Sequence, residues 1–175
     1  MCVAGNYSAA VKQATDSCIS CAIGTFGKTG TTAGDHDAAE DCAVCAAGTY
    51  VITVAQTACT DCPVGTYLVD AATAAGSHDA LGDCAVCGAG TYSAAVKQTA
   101  QTACIRCAAG KFGKVGSRSS THDAEADCTA CATGKYTDGK EASAATSCAT
   151  LTVCAAGEKE TTTPSLTTNR ACTST

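Results

Sequence analysis

The stretch Cys45-Ala46-Ala47-Gly48-Thr49-Tyr50 contains the pattern that organises the whole chain, Cys-x-x-Gly-x-aromatic. Cys-x-x-Gly occurs eight times in the 175 residues, and in seven copies an aromatic residue stands five places after the cysteine. The opening cysteines are Cys2, Cys21, Cys45, Cys62, Cys87, Cys107, Cys131 and Cys154. The rings, which are the only aromatic residues of the chain, are Tyr7, Phe26, Tyr50, Tyr67, Tyr92, Phe112 and Tyr136. A sequence that places every ring at one phase of a repeat indicates an array of small, similar units.

A second cysteine closes each unit. The closing cysteines are Cys18, Cys42, Cys59, Cys84, Cys104, Cys128, Cys148 and Cys172. Two residues separate a closing cysteine from the next opening one at every junction except the last, where residues 149–153 intervene. Short and long units alternate, so the period is a block of two units, about 43 residues long. We predict blocks at 1–44, 45–86 and 87–130, and a divergent terminal block at 131–175 in which Lys159 replaces the ring.

Two segments recur almost unchanged after two blocks. The sequence of Tyr7–Gln13 is repeated at Tyr92–Gln98, and Phe26-Gly27-Lys28 is repeated at Phe112-Gly113-Lys114. Repetition this close indicates tandem duplication, in which each block packs on its neighbours in much the same way.

The composition excludes an ordinary hydrophobic core. Leu, Ile, Val and Phe together number 21 of 175 residues, while Ala and Cys supply most of the apolar fraction. A chain this poor in large apolar residues is normally disordered unless cross-links stabilise it. Cysteine makes up about a tenth of the chain, which is typical of disulfide scaffolds that persist outside the cytosol. We therefore predict a disulfide-rich protein that is extracellular or displayed on a cell surface.

The fold class that we predict is an elongated rod of stacked, small, disulfide-rich repeats with irregular β-structure and little helix. Glycine accepts a turn with positive φ, and the Thr-Tyr that follows Gly48 favours a short strand. Each ring is expected to cover a disulfide and the base of the next unit. No apolar run approaches the length that spans a membrane, and the sequence lacks a signal peptide, so the chain is expected to be a processed product or a segment of a longer protein.

Sequence alone leaves the pairing of the sixteen cysteines open. If each opening cysteine bonds the closing cysteine of its own unit, all sixteen are used, whereas a ladder between successive Cys-x-x-Cys pairs needs partners beyond both ends. The remaining alternative is zinc, because Cys-x-x-Cys pairs at this separation are also typical of zinc ribbons. Disulfides are favoured, since each pair is followed by a Gly-x-aromatic that a zinc site does not need, and we expect no metal and no cofactor.

Three motifs carry a resemblance to known modules: Cys45–Tyr50, Cys62–Tyr67 and Cys87–Tyr92. They resemble the extracellular cysteine-rich repeats of tumour-necrosis-factor receptors and, more closely, the ephrin-receptor-like repeats, and they are similar to cysteine-rich surface proteins of protists and algae. The resemblance implies that the cysteine before Gly-x-Tyr closes a loop with the next cysteine. It also implies elongated rods of stacked modules. The high Ala and Thr content and the regular duplication depart from receptor modules.

All three histidines belong to one phrase that ends each regular long unit. It runs from Asp35 to Cys42, from Ser77 to Cys84 and from Thr121 to Cys128, with His36, His78 and His122 in second place. We expect one helical turn that delivers the closing cysteine, with Asp35, Ser77 and Thr121 as N-caps. The alternatives are a cation site built from Asp37 and Asp41 with their equivalents, or a contact between blocks or subunits. Catalysis is not expected, because a unit this small cannot enclose a pocket.

Asn6-Tyr7-Ser8 is an N-glycosylation sequon, so Asn6 is a predicted attachment site, and the many Thr residues could carry O-linked sugar. The net charge of −5 and the scattered basic residues give no nucleic-acid surface. Near-identical blocks predict self-association, and the leading hypothesis is a structural protein of an extracellular filament, stalk or coat. A receptor or adhesion ectodomain is the second hypothesis, and an intracellular zinc-binding protein is the third.

Overall fold

The computed structural model describes residues 2–8, 18–30, 32–139 and 142–175. Within those ranges the secondary structure consists of short β-strands and three-residue 3-10 helices, without any α-helix. The strands are β1 Asn6–Tyr7, β2 Ile19–Ser20, β3 Thr25–Gly27, β4 Cys42–Val44, β5 Thr49–Tyr50, β6 Thr60–Asp61, β7 Thr66–Tyr67, β8 Ala85–Val86, β9 Thr91–Tyr92, β10 Ile105–Arg106, β11 Lys111–Gly113, β12 Cys128–Ala130, β13 Lys135–Tyr136, β14 Ala149–Thr150, β15 Glu158–Thr162 and β16 Ala171–Ser174. The 3-10 helices are Ala33–Asp35, Ala39–Asp41, Ala75–Ser77, Leu81–Asp83, Gln101–Ala103, Ser119–Thr121, Glu125–Asp127 and Ala145–Ser147.

Each repeat unit, numbered 1 to 8 along the chain, forms one small two-stranded sheet. The first strand follows the Cys-x-x-Gly motif, and the second begins within one residue of the closing cysteine. In unit 3, Tyr50 lies opposite Thr60 in an antiparallel pair. The same antiparallel pairing joins β1 to β2, β3 to β4, β9 to β10, β11 to β12, β13 to β14 and β15 to β16. The prediction of small disulfide-rich repeats of mostly irregular β-structure is confirmed.

The Cys-x-x-Gly-Thr-Tyr motif folds as a tight turn that opens the first strand. In unit 3 the Thr49 N–H donates to the Ala46 carbonyl at 3.0 Å, and the Thr49 hydroxyl donates to the same oxygen at 2.7 Å. Gly48 stands third in this turn with φ +76°. A turn of this shape requires positive φ at its third residue, which glycine adopts without steric cost. The backbone conformation of the turn therefore explains why the motif has glycine at this position.

Every disulfide lies within one unit and joins its opening cysteine to its closing cysteine. The bonds are Cys2–Cys18, Cys21–Cys42, Cys45–Cys59, Cys62–Cys84, Cys87–Cys104, Cys107–Cys128, Cys131–Cys148 and Cys154–Cys172. All sixteen sulfur atoms are thereby used, and no thiol is left to ligate a zinc ion.

The cystines themselves form most of the buried apolar material. Ten of the thirteen buried apolar residues among those described are cysteines, and the other three are Val51, Leu68 and Ala142. In one small cluster the Cys62–Cys84 disulfide packs with Leu68, and the half-buried Tyr50 ring lies against it. All seven rings are half-buried rather than fully inside, because units this small leave one side of each ring accessible.

The N-cap assignment made for the histidine phrase was wrong. Asp35, Ser77 and Thr121 are the last residues of the 3-10 helices that precede each histidine. The turn that delivers the closing cysteine starts later, as at Ala39–Asp41, and no side chain caps it from its N-terminal residue. Three-residue turns have no periodicity that would reveal where they begin.

The chain divides into two compact bodies that interleave in sequence. The first comprises Met1–Pro63, Tyr67–Ala85 and Val96–Gln101, and the second comprises Val64–Thr66, Val86–Ala95 and Thr102–Thr175. Each body contains units of the same kind. The two-unit blocks at 1–44, 45–86, 87–130 and 131–175 stay a prediction.

Candidate functional site: the surface between repeat units

Successive units are joined by backbone hydrogen bonds at fixed positions. The third residue after each closing cysteine donates its N–H to the carbonyl of the glycine that opened the same unit. In units 1 to 6 this residue is the next opening cysteine, as with Cys45, which donates to Gly24 at 3.0 Å. The remaining bonds of this type start at Cys21, Cys62, Cys87, Cys107 and Cys131. This geometry explains why two residues separate the cysteines at those junctions.

The last two units keep the bond without the cysteine. Leu151 stands three places after Cys148 and donates to Gly134 at 2.9 Å, and Thr175 stands three places after Cys172 and donates to Gly157 at 3.3 Å. The bond therefore belongs to the backbone position, whatever its side chain. This also explains how the insertion before Cys154 is tolerated.

A second series of bonds begins at the residue after each ring. This residue is buried in all of the first seven units, at Ser8, Gly27, Val51, Leu68, Ser93, Gly113 and Thr137. From units 1, 3 and 5 its N–H donates to the histidine carbonyl of the next unit, as Ser93 does to His122 at 2.8 Å, while Thr137 of unit 7 donates to the Leu166 carbonyl at 3.0 Å. From an even-numbered unit it donates to the sixth residue after the next ring, as Leu68 does to Gln98 at 2.9 Å. The alternation of these two acceptors matches the alternation of long and short units.

A third contact reaches two units along the chain. A Cβ atom placed on Gly48 of unit 3 would lie 2.7 Å from the Lys97 carbonyl oxygen of unit 5, and one on Gly65 of unit 4 would lie 2.4 Å from the Ser119 oxygen of unit 6. The opening glycines of units 1, 2, 5 and 6 meet Ala55, Ala75, Ala142 and Leu166 in the same way. The glycine thus serves both the turn and the close approach of a segment from the unit after next.

The three histidines lie buried between adjacent units. The Nδ1 atom of His122 lies 3.0 Å from the Thr91 oxygen of the preceding unit, and its Nε2 atom lies 3.1 Å from the Gly116 oxygen. His36 is placed in the same way, with ring nitrogens 3.2 Å from the Asn6 oxygen and 2.7 Å from the Gly30 oxygen. A neutral imidazole has one donor and one acceptor nitrogen, so only the imidazolium form donates to both oxygens. The rings are structural connections between units.

His78 differs in one partner. Its Nδ1 atom lies 2.7 Å from the Thr49 oxygen, as in the other two copies, but its Nε2 atom lies 3.0 Å from a carboxylate oxygen of Asp70. The Thr73 hydroxyl donates to the other Asp70 oxygen at 2.8 Å. This hydrogen bond lowers the pKa of Asp70, and His78 adds to the effect. A histidine hydrogen-bonded to an aspartate is also found in catalytic proton relays. The His78 ring, however, is fully buried and holds two units together.

Of the two carboxylates proposed for a cation site in each phrase, the one next to the closing cysteine already has partners in units 2 and 6. In unit 2 the Lys28 ammonium donates to Asp41 Oδ1 at 2.5 Å, while the N–H groups of Asp37 and Ala38 donate to Oδ2 at 3.0 Å. The Lys28 hydrogen bond lowers the pKa of Asp41, and the Ala38 N–H contributes as well. Unit 6 repeats this arrangement with Lys114 and Asp127. Across the described ranges no group of three or more metal-ligating side chains comes together.

These lysines are the functional residues that sequence analysis missed. The signal was present, because Phe-Gly-Lys and the aspartate before the closing cysteine recur together in units 2 and 6. Asn6 of the sequon lies in β1 with a half-buried side chain, whose Nδ2 is 3.3 Å from the Ala4 oxygen. Its glycosylation stays a prediction.

Comparison with known proteins bears on the module type. Residues 30–77 match the family model for tyrosine-protein kinase ephrin type A/B receptor-like repeats. The match extends from unit 2 into unit 4 and therefore includes the Cys45–Cys59 unit in full. No curated protein matches the chain significantly. In the described part of the chain no helix is long and apolar enough to cross a membrane. Over 30–77 the chain is thus similar to a cysteine-rich, extracellular, receptor-like module, a class that is not known for enzymes.

Proposed function

We propose that this protein is an extracellular structural repeat protein, a building block of a filament, stalk or surface coat. The supporting observation is that successive units are joined by backbone hydrogen bonds that recur at fixed positions from unit to unit. From unit 1 to unit 6, the N–H of the next opening cysteine donates to the carbonyl of the glycine in the unit before it. A joint of this kind can be repeated for any number of units, as structural arrays require.

The dependence on disulfides supports the extracellular location. Every unit has one disulfide and very little other apolar material in its interior. Disulfides of this kind persist in oxidising compartments and are rare where thiols are kept reduced. The similarity of residues 30–77 to receptor-like repeats agrees with the same location.

The second candidate is a receptor or adhesion ectodomain that binds a protein ligand. It is favoured by the receptor-like match over 30–77 and by the exposed apolar side chains Ile52 and Val54 within that segment, which are 60% and 55% exposed. Protein-binding surfaces usually centre on aromatic or arginine anchors in fully desolvated pockets. The seven rings are instead half-buried within the repeat.

Negative-stain electron microscopy tests the proposal. Native material, and the oxidised chain at high concentration, should contain long fibres of uniform width, and a reductant should dissolve them because the units lose their disulfides. Isolated particles of single-chain size, together with capture of a protein ligand that Ile52→Asp abolishes, would favour the ectodomain instead. An Ile105→Asp variant, which alters an exposed isoleucine outside the matched segment, is the control.

A further inference from the structure

Unit 4 lacks a lysine that its equivalents, units 2 and 6, have. In those two units a lysine stands two places after the ring and donates to the aspartate next to the closing cysteine, as Lys114 does to Asp127 at 2.6 Å. Unit 4 keeps the aspartate, Asp83, but Val69 stands at the position of the lysine. The carboxylate that binds a lysine of the same unit in units 2 and 6 therefore has no such partner in unit 4.

Asp83 keeps one carboxylate oxygen for a further donor. Its Oδ2 atom accepts the Ala80 N–H at 2.8 Å, as the equivalent oxygens do in units 2 and 6. Among the described residues, none donates to its Oδ1 atom, which is the atom that binds the lysine in the other two units. Asp83 is half-buried, whereas Asp41 and Asp127 are buried. The turn thus holds this carboxylate in place while one oxygen stays accessible.

A cleft of about 320 Å³ lies beside Asp83. Tyr67 and Val69 contribute apolar lining, and Val69 is 62% exposed. Asp70 also lines the cleft, but its carboxylate already contacts the His78 ring. None of the described lining residues is a lysine or an arginine. The cleft therefore combines an apolar wall with a negative charge that the chain leaves without a cation.

A lysine side chain has the chemistry that this cleft would recognise. Its four-carbon stem covers apolar surface while its charged head stays at a polar group, so the stem would lie on Tyr67 and Val69 and the ammonium on Asp83. One open oxygen suits the single contact of an ammonium better than the two-pronged guanidinium of arginine. The chain itself contains the precedent, because Lys28 and Lys114 make this single contact in units 2 and 6.

We propose that the cleft of unit 4 is a docking site for a lysine side chain of another protein, with the ammonium on Asp83 Oδ1 and the stem on Val69. Four of the six lysines in the described ranges are already paired with carboxylates of this chain, so the docked lysine is assigned to a different protein. The inference goes beyond the proposed structural function and does not depend on self-association. Among the three histidine phrases, that of unit 4 is the one adapted to a partner.

The first test asks whether the cleft accepts an ammonium. Val69→Lys places a lysine where units 2 and 6 have one, and Val69→Met places an apolar stem without the charge. Urea unfolding of the oxidised variants should give a folding equilibrium constant about two- to fivefold larger for Val69→Lys, as an exposed ion pair provides. When Asp83→Asn is added to both variants, the ratio should fall to about one. A ratio of about one with Asp83 intact would overturn the proposal.

The second test measures docking from a separate molecule. The probes are three acetylated, amidated tripeptides with lysine, arginine or norleucine between two glycines. In an NMR titration the lysine peptide should shift the amide signals of Val69 and Ala80, and it should bind about two- to fivefold more tightly than the uncharged norleucine peptide. Val69→Lys should abolish this binding, and Asp83→Asn should reduce it to the norleucine level. Asp79→Asn, in the same phrase but outside the cleft lining, is the control and should bind like the unaltered chain.

Four outcomes of these measurements overturn the inference. Shifts that Asp83→Asn leaves unchanged would come from general attraction of a cation to this acidic chain. Equal shifts with ammonium chloride at the same concentration would mean that the apolar lining contributes nothing. Equally tight binding of the arginine peptide would exclude the assignment to lysine. Self-association in sedimentation velocity that Asp83→Asn abolishes would assign the docked lysine to a second copy. None of these results refutes the proposed structural function, which fibres in native material test separately.

Discussion

At the residue scale, the opening glycine combines two requirements that substitution can separate. Gly65 and Gly134 belong to the same compact body and have nearly equal φ, +77° and +81°. An added Cβ on Gly65 would lie 2.4 Å from the Ser119 oxygen, whereas on Gly134 it would meet no atom of the described residues within 4 Å. Gly134→Ala is thus expected to lose about 1–2 kcal/mol of unfolding free energy from the left-handed backbone alone. Gly65→Ala adds an overpacking cost of about 1–3 kcal/mol.

The measurement is guanidinium unfolding of the oxidised variants at a concentration where the chain is monomeric. Equal losses for the two glycine variants would mean that the close approach of Ser119 contributes nothing to stability. The turn would then be the only reason for the glycine.

Removing a buried histidine should lower the stability of the chain and increase hydrogen exchange in the preceding unit. His122→Ala removes the ring nitrogens that lie 3.0 Å from the Thr91 oxygen and 3.1 Å from the Gly116 oxygen, and an unsatisfied buried acceptor costs about 1–3 kcal/mol. We expect a loss of about 2–4 kcal/mol, together with faster hydrogen exchange at the Ser93 amide, which donates to the His122 oxygen. Thr121→Ala removes only an exposed local hydrogen bond to Arg118 and is the control. Unchanged exchange at Ser93 would contradict the connecting role of the ring.

At the element scale, the 3-10 turn before the closing cysteine is stabilised by one carboxylate. Asp41 accepts from Lys28 and from two backbone N–H groups, and these bonds lower the pKa of its carboxyl. A carboxylate whose pKa is lower in the folded state stabilises that state above the ordinary carboxyl pKa of about 3.8. The stabilisation is lost as the pH falls through the lowered value. Asp127 behaves alike, since its bond to Lys114 lowers its pKa.

The expected result is a stability that is flat near neutral pH and falls below about pH 4. The variant Asp41→Asn with Asp127→Asn should be less stable near pH 7 and should lose less on acidification, because the groups that titrate are gone. Denaturant unfolding at several pH values gives both quantities. Asp37→Asn, at an exposed carboxylate in the same segment, is the control. If the double variant loses stability on acidification as steeply as the unaltered chain, groups other than Asp41 and Asp127 cause the acid transition.

Much of each unit could be predicted from sequence, because a unit is defined by local constraints. The turn at Cys45–Tyr50 needs glycine, and the short strand after it follows from Thr49 and Tyr50. The turn before Cys42 was expected too, although its start was misplaced. What sequence could not predict is contact at a distance. Nothing near Gly48 indicates that the Lys97 carbonyl, two units later, lies over it, and the Lys28–Asp41 pair joins residues thirteen apart.

At the scale of the whole molecule, the cystines replace a conventional hydrophobic core. Comparing the disulfides of the last two units separates the effect of loop closure from the effect of burying the sulfur atoms. Cys131–Cys148 and Cys154–Cys172 belong to neighbouring units and close nearly equal loops, with separations of 17 and 18 residues. The first pair is buried, with exposures of 6% and 4%, while the second is partly exposed. Loop-closure entropy alone assigns about 3 kcal/mol to each bond. Burial of the sulfur atoms favours the first pair further.

We therefore expect Cys131→Ala with Cys148→Ala to lose more unfolding free energy than Cys154→Ala with Cys172→Ala, by about 1–3 kcal/mol. Denaturant unfolding of the two oxidised variants, each with seven disulfides verified by intact mass, measures the difference. If loop closure dominates, the slightly longer loop of the terminal pair makes its removal equal or worse. Equal losses would mean that the bonds act mainly by restricting the unfolded chain. A larger loss for the buried pair would mean that the sulfur atoms also stabilise this fold as the interior that its leucine-poor sequence lacks.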